Sequence, residues 1–166
     1  ELLRWCLLGM LALAIAGVMA FLVAMSRVPG IEEFIFWPVN FFQKGLVVHV
    51  IFSLIIWFFT VFGSLICISL AKSKKLKFGR ILTTLILFAS VLLAIPAFIG
   101  DGIASLNNYV PTILDPLFYI GLFILISSIG IKAIRLVVCT FEKNGLSNLF
   151  EFMINISAII FFIAFA

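Results

Sequence analysis

The chain has 166 residues, 65% of them hydrophobic and only 11% charged, with a formal net charge of +4 and a mean hydropathy of +1.37. A soluble domain is nearer half apolar and a quarter charged, so this composition excludes an ordinary soluble enzyme or nucleic-acid-binding module. Apolar runs of 18 residues or more recur, each long enough to cross a bilayer. In lipid the backbone must satisfy its own hydrogen bonds, so such runs are helices. The reading is an all-α, polytopic transmembrane helix bundle of about five spans, forming one domain over residues 1–166.

The first span is predicted over Leu2 to Met25. Gly9 and Gly17, with several alanines, suit close helix contact. A signal peptide competes with this reading, but the apolar run is longer than a typical h-region. Ser26 to Asn40 follows as a loop with Pro29, Gly30, Glu32, Glu33 and Pro38. Its Phe34, Phe36 and Trp37 suit the headgroup level, where aromatic rings collect.

The second span, Gln43 to Ala71, reads QKGLVVHVIFSLIIWFFTVFGSLICISLA. It carries His49, the single histidine of the chain. At 100° per residue, Gly45, His49, Ser53, Thr60, Gly63, Ser64 and Cys67 fall within roughly 60° of one direction. Leu54, Ile55, Phe58, Val61, Phe62 and Leu65 lie mostly on other faces. A helix facing only lipid has no use for such a polar and small-residue stripe, and ionisable groups at membrane depth usually point into a bundle or cavity.

A basic turn follows, with Lys72, Lys74, Lys75, Lys77 and Arg80. The third span is predicted over Ile81 to about Phe98, with Pro96 kinking it or opening its last turn. Gly100 to Pro116 is turn-rich, with room for a short interfacial helix, and carries Asp101 and Asp115. The fourth span, about Leu117 to Val138, holds Lys132 and Arg135 towards one end, where they are expected to snorkel to the surface. After a short loop with Glu142, Lys143 and Gly145, a fifth apolar run extends from Leu149 to Ala166. Glu151 and Asn155 are one turn apart there; the carboxylate reads as interfacial, with a place in a proton path as the alternative. Tyr109 and Tyr119 read as interfacial belt residues.

Of the 11 Lys and Arg, nine fall on one side of this arrangement and Arg27 and Lys44 on the other. The positive-inside rule then makes the N-terminus cytoplasmic. His49 sits five residues into the helix from Lys44, roughly 7–8 Å below the outer boundary. The apolar last residues and the missing initiator Met suggest a fragment whose native polypeptide continues with further helices. Cys6, Cys67 and Cys139 form no CxxC or zinc pattern and read as buried free thiols.

A neutral imidazole in a bundle can ligate heme iron or another metal, relay protons, or satisfy a polar neighbour across a helix contact. Gly45, Ser53 and Gly63 supply small residues on its face, and Phe42 and Trp57 flank it. No phosphate-binding loop, dinucleotide fingerprint or nucleophile with a nearby base is present.

The segment LVVHVIFSLIIWFFTVFGSL, with Val48, His49, Ser53 and Trp57 in the pattern V-H-x-x-x-S-x-x-x-W, resembles the second helix of subunit I of the heme–copper oxidases and of the related nitric oxide reductase large subunits. Asn107 to Pro111, followed by Leu114 to Phe118, is similar to the segment before their fourth helix. The resemblance implies the N-terminal part of such a subunit in a bacterial inner membrane. It implies that His49 ligates a low-spin heme of b or a type, with Gly45 and Ser53 beside it and Lys44 near a propionate. It implies partners too: the lipid bilayer, further helices of the same subunit, other respiratory-complex subunits, and an external electron donor such as a cytochrome c; nucleic acid is not among them. The family's copper ligands and its other heme ligands come from later helices. No copper site is therefore expected here, and electrons would pass to an oxygen- or nitric-oxide-reducing site outside this segment. The family arginine before the heme-ligating histidine is absent. The alternative is a non-enzymatic membrane assembly or scaffold protein with a structural histidine.

Overall fold

The computed structural model describes residues 1–31, 38–70, 79–107, 110–142 and 149–165. The Glu32–Trp37 part of the first loop, the Lys72–Lys77 basic run, Tyr109 and the Lys143–Gly145 loop lie outside the described residues.

The long apolar runs fold as helices, as the backbone's need for internal hydrogen bonds requires. They are α1 (Leu2–Met25), α2 (Phe41–Ser69), α3 (Gly79–Ala94), α4 (Pro116–Glu142) and α5 (Leu149–Phe165). Among the described residues four stretches are long and apolar enough to cross a membrane: Leu2–Met25, Phe41–Ser69, Gly79–Ala97 and Pro116–Phe141. The fifth helix is equally apolar but has 17 residues, about 25 Å of rise against a hydrocarbon core of about 30 Å.

Two irregularities interrupt the helices. In α2 the residues Ile51–Ile56 form a π-helical segment, with α-helix resuming at Trp57. At the end of α3, Ile95–Ala97 tighten into a 3-10 turn around Pro96, whose ring cannot donate to an α-helical carbonyl. Among its described residues the turn-rich segment after it holds no interfacial helix. It folds instead as a β-hairpin, β1 (Ile103–Ser105) antiparallel to β2 (Thr112–Leu114), with Ala104 opposite Ile113. Fully buried Ile113 anchors the hairpin to the bundle. A β-branched residue suits this pleated, half-buried setting.

Helix contacts follow the small residues. Gly121 of α4 lies against Ala89 and Leu93 of α3; a Cβ there would come within 3.0 Å of the Ala89 carbonyl and of Leu93. Leu82, Ile86, Leu125 and Ile129 fill the core around this crossing. A second apolar cluster joins Ile66 of α2 and Leu70 just past its end to Leu136 of α4 and Ala158 of α5. The outward faces remain apolar, as at Phe21, Phe58, Phe123 and Ile163. The distribution is that of a bundle solvated by lipid or by further helices.

Two lysines depart from the usual placement of cations. Lys132 does not snorkel: it is 1% exposed and turned into the bundle. Lys44 is 2% exposed, and its Nζ donates to the Gly100 carbonyl at 2.7 Å. Gly100 has φ +105°, a conformation glycine adopts without strain, and this turns its carbonyl towards the lysine.

Candidate functional site around His49

The polar stripe of α2 exists, and it faces α1. Gly45 meets Val23 and Met19, where a Cβ would lie 2.8 Å from Val23. Gly9 of α1 meets Thr60, and the Trp5 ring occupies the space where a Gly63 Cβ would lie. The space over Gly45, which the resemblance puts beside a heme, is taken by α1 side chains, as is that over Gly63. The small residues let α1 approach closely, the usual role of glycine between membrane helices.

The hydroxyls of the stripe turn back on their own helix. Ser53 donates to Val50 O at 3.3 Å, Thr60 to Trp57 O at 2.7 Å and Ser64 to Thr60 O at 2.9 Å. Such back-bonding satisfies a hydroxyl in lipid without a partner helix. Ser64 Oγ also lies 3.7 Å from Cys6 Sγ on α1, and His49 turns wholly away from its own helix. Its Nδ1 lies 2.9 Å from the carbonyl oxygen of Ala16, reaching across to α1.

That bond fixes the chemistry of the ring. A carbonyl only accepts, so Nδ1 must carry the proton. In the neutral imidazole Nε2 is then the free base. Among the described residues Nε2 has no hydrogen-bond partner, and His49 is half-buried. A ring tethered through Nδ1–H to a backbone carbonyl, with Nε2 left basic, is the arrangement that orients metal-ligating histidines. The π segment begins two residues later, and π-bulges are frequent at functional sites.

Other expected participants are distributed differently. Ser53 is half-buried within the π segment. Lys44 is held by the hairpin through Gly100. Met25, at a depth comparable to His49 and a weaker candidate for the second iron ligand than a histidine from another helix, is half-buried at the end of α1. Asn155 donates to the backbone carbonyl of Glu151 at 2.8 Å. Cys67 and Cys139 are buried and free, whereas Cys6 is free but exposed on the bundle surface. One cation that sequence order did not place here is Arg27, whose guanidinium lies 4.8 Å from the centroid of the Phe42 ring, two turns above His49.

A second polar group escaped sequence reasoning. Lys132 Nζ pairs with Glu1, donates to Cys67 Sγ at 3.1 Å, and lies 5.0 Å from the centroid of the Trp5 ring. Burial acts to raise the Glu1 carboxyl. The hydrogen bond and charge of Lys132, the Cys67 contact and the charge of Arg135 outweigh it, leaving the carboxyl below its ordinary value.

These features define a class: an all-α, multi-pass bundle built for a bilayer, with one oriented histidine between its first two helices. The chain is similar to an "Uncharacterized protein" of Aquifex aeolicus (strain VF5), 33% identical over 132 residues that make up 79% of this chain and 32% of the relative. It is also similar to "Uncharacterized protein RP382" of Rickettsia prowazekii (strain Madrid E), 25% identical over 184 residues, covering 97% of this chain and 36% of that protein. The chain thus spans about a third of the length of the curated relatives it matches. No family model and no solved structure matches it.

Proposed function

We propose that this chain is part of a membrane respiratory oxidoreductase, resembling subunit I of the heme–copper oxidases, in which His49 is one axial ligand of a low-spin heme. The single observation that carries the reading is the Nδ1–H bond from His49 to the Ala16 carbonyl, which leaves Nε2 basic and the ring fixed. The donor set fits one axial position. In this reading the copper ligands come from other parts of the subunit, as the resemblance implies. When bound, the heme would supply one-electron chemistry at a potential set largely by its axial ligands.

In this reading the protein residues do three things. His49 would hold the iron through Nε2, and α1 fixes the His49 ring. The close α1–α2 contact at Gly45 and Gly63 keeps that geometry rigid. The apolar outward faces receive further helices of the same subunit, which bring the remaining ligands. The lengths of the relatives leave room for such helices, because this chain matches about a third of each. The basic asymmetry of the sequence supports a bacterial inner-membrane chain with its N-terminus cytoplasmic, placing His49 near the outer face. There an external donor such as a cytochrome c delivers electrons, with other respiratory-complex subunits alongside.

A second reading is favoured by the same hydrogen bond. A histidine bonded across two helices is sufficient to lock their register, as expected of a non-enzymatic assembly or scaffold protein. A reduced-minus-oxidised optical spectrum of the natural full-length protein separates the two. Heme absorption bands of b or a type are expected; a fully assembled preparation without them leaves the scaffold reading.

A further inference from the structure

Far from His49, charged side chains meet where all four membrane-length helices converge. Glu1 at the start of α1 lies against Gly79 at the start of α3, where any Cβ would overlap the carboxyl group. Cys67 comes from the last turn of α2, and Lys132 and Arg135 from α4. Glu1 Oε1 is engaged twice, by Lys132 and by the Cys67 thiol at 3.5 Å.

Three further polar atoms of this junction are unmatched among the described residues: Glu1 Oε2, Trp5 Nε1 and Arg135 Nη1 are buried without a hydrogen-bond partner there. The Glu1 side chain is 7% exposed and Trp5 is fully buried. Native proteins rarely leave such groups unpaired. The three also differ in kind, because Oε2 only accepts while Nε1 and Nη1 only donate. A small anion would satisfy the two donors and be repelled by Oε2. A metal cation would suit Oε2 and be repelled by Lys132 and Arg135. Water both donates and accepts.

We propose that the Glu1–Trp5–Cys67–Lys132–Arg135 junction is an internal hydration site, in which ordered water donates to Glu1 Oε2 and accepts from Trp5 Nε1 and Arg135 Nη1. The water completes a polar network whose members are otherwise half-satisfied, the condition under which buried water becomes part of a structure. It also solvates an ion pair that the surrounding apolar helices would leave poorly compensated. This inference is independent of heme binding.

The chain contains its own control. Cys67 and Cys139 are alike in burial, at 5% and 6% exposure. Cys67 touches Lys132 and Glu1, whereas Cys139 packs among Leu136, Ile154 and other apolar side chains. Radiolytic hydroxyl labelling of the natural full-length protein in nanodiscs converts ordered water near a side chain into a mass tag. Cys67 and Trp5 are expected to label at least several-fold faster than Cys139. In the Glu1→Gln/Lys132→Met double variant, Cys67 is expected to fall to the Cys139 rate. Equal rates at Cys67 and Cys139 in the unaltered protein overturn the proposal without recourse to the variant. A fall in Cys67 labelling relative to Cys139 on adding millimolar chloride, which scavenges hydroxyl radicals little at neutral pH, overturns it too, in favour of an anion site.

Discussion

Gly63 is where the packing of α1 on α2 is most sharply testable. The Trp5 ring lies against the Gly63 backbone so closely that a Cβ would overlap its six-membered ring. Trp5 is fully buried, with Lys132 5.0 Å from its ring centroid, so displacing the indole disturbs its packed neighbours. Gly63→Ala gains helix propensity of about 1 kcal/mol. Against this, overpacking a well-filled core costs about 1–3 kcal/mol, and the overlap here is with a rigid ring, which places the cost towards the upper end of that range. The expected net is a destabilisation of about 1–2 kcal/mol. Gly17 is the matched comparison, because a Cβ there meets nothing within 4 Å. Gly17→Ala therefore keeps the propensity gain alone. Reversible unfolding of both variants in mixed micelles measures the difference. Trp5→Phe combined with Gly63→Ala should recover part of the loss, since the smaller ring frees the space. If Gly63→Ala is as stable as Gly17→Ala, the close α1–α2 approach described here is wrong.

Two further predictions follow from the buried lysines. Lys44→Met removes the donor to Gly100, so the hairpin segment 99–115 should exchange its amide hydrogens faster while α3 and α4 remain protected; unchanged exchange would show that Ile113 alone holds it. Lys132→Met leaves Glu1 buried beside a lost partner, a loss of about 3–5 kcal/mol for a broken buried pair, and Glu1→Gln in the same chain should restore much of it. The folded Glu1 carboxyl lies below its ordinary value, so its stabilising contribution is present above the unfolded value of about 4.3 and is lost as pH falls through the folded value. Unfolding midpoints of the unaltered protein should thus drop on acidification below about pH 4, and Glu1→Gln should show a weaker drop.

The helices were legible because lipid leaves the backbone few alternatives, and runs such as Leu2–Met25 keep that length in the structure. The opened last turn at Pro96 followed from the same local chemistry. The stripe on α2 was legible as a pattern, but its direction was not. Whether Gly45 and Gly63 meet a ligand or a neighbouring helix depends on where α1 lies, which residue spacing within α2 does not specify. The π segment is a change in backbone hydrogen-bond register and leaves no mark in side-chain periodicity. Lys132 was misread because its partner, Glu1, stands at the opposite end of the sequence. A cation near a helix end snorkels unless a buried anion draws it inwards, and only the tertiary fold reveals that anion.

The most direct test of the account is the optical and low-temperature electron paramagnetic resonance spectrum of the natural full-length protein beside its His49→Ala variant. Loss of the low-spin heme signal in His49→Ala, with helix content unchanged and Met25→Leu without effect, is the predicted result. A His49→Ala protein that keeps full heme content and an unaltered low-spin spectrum would contradict the account and leave His49 as a packing residue held by Ala16.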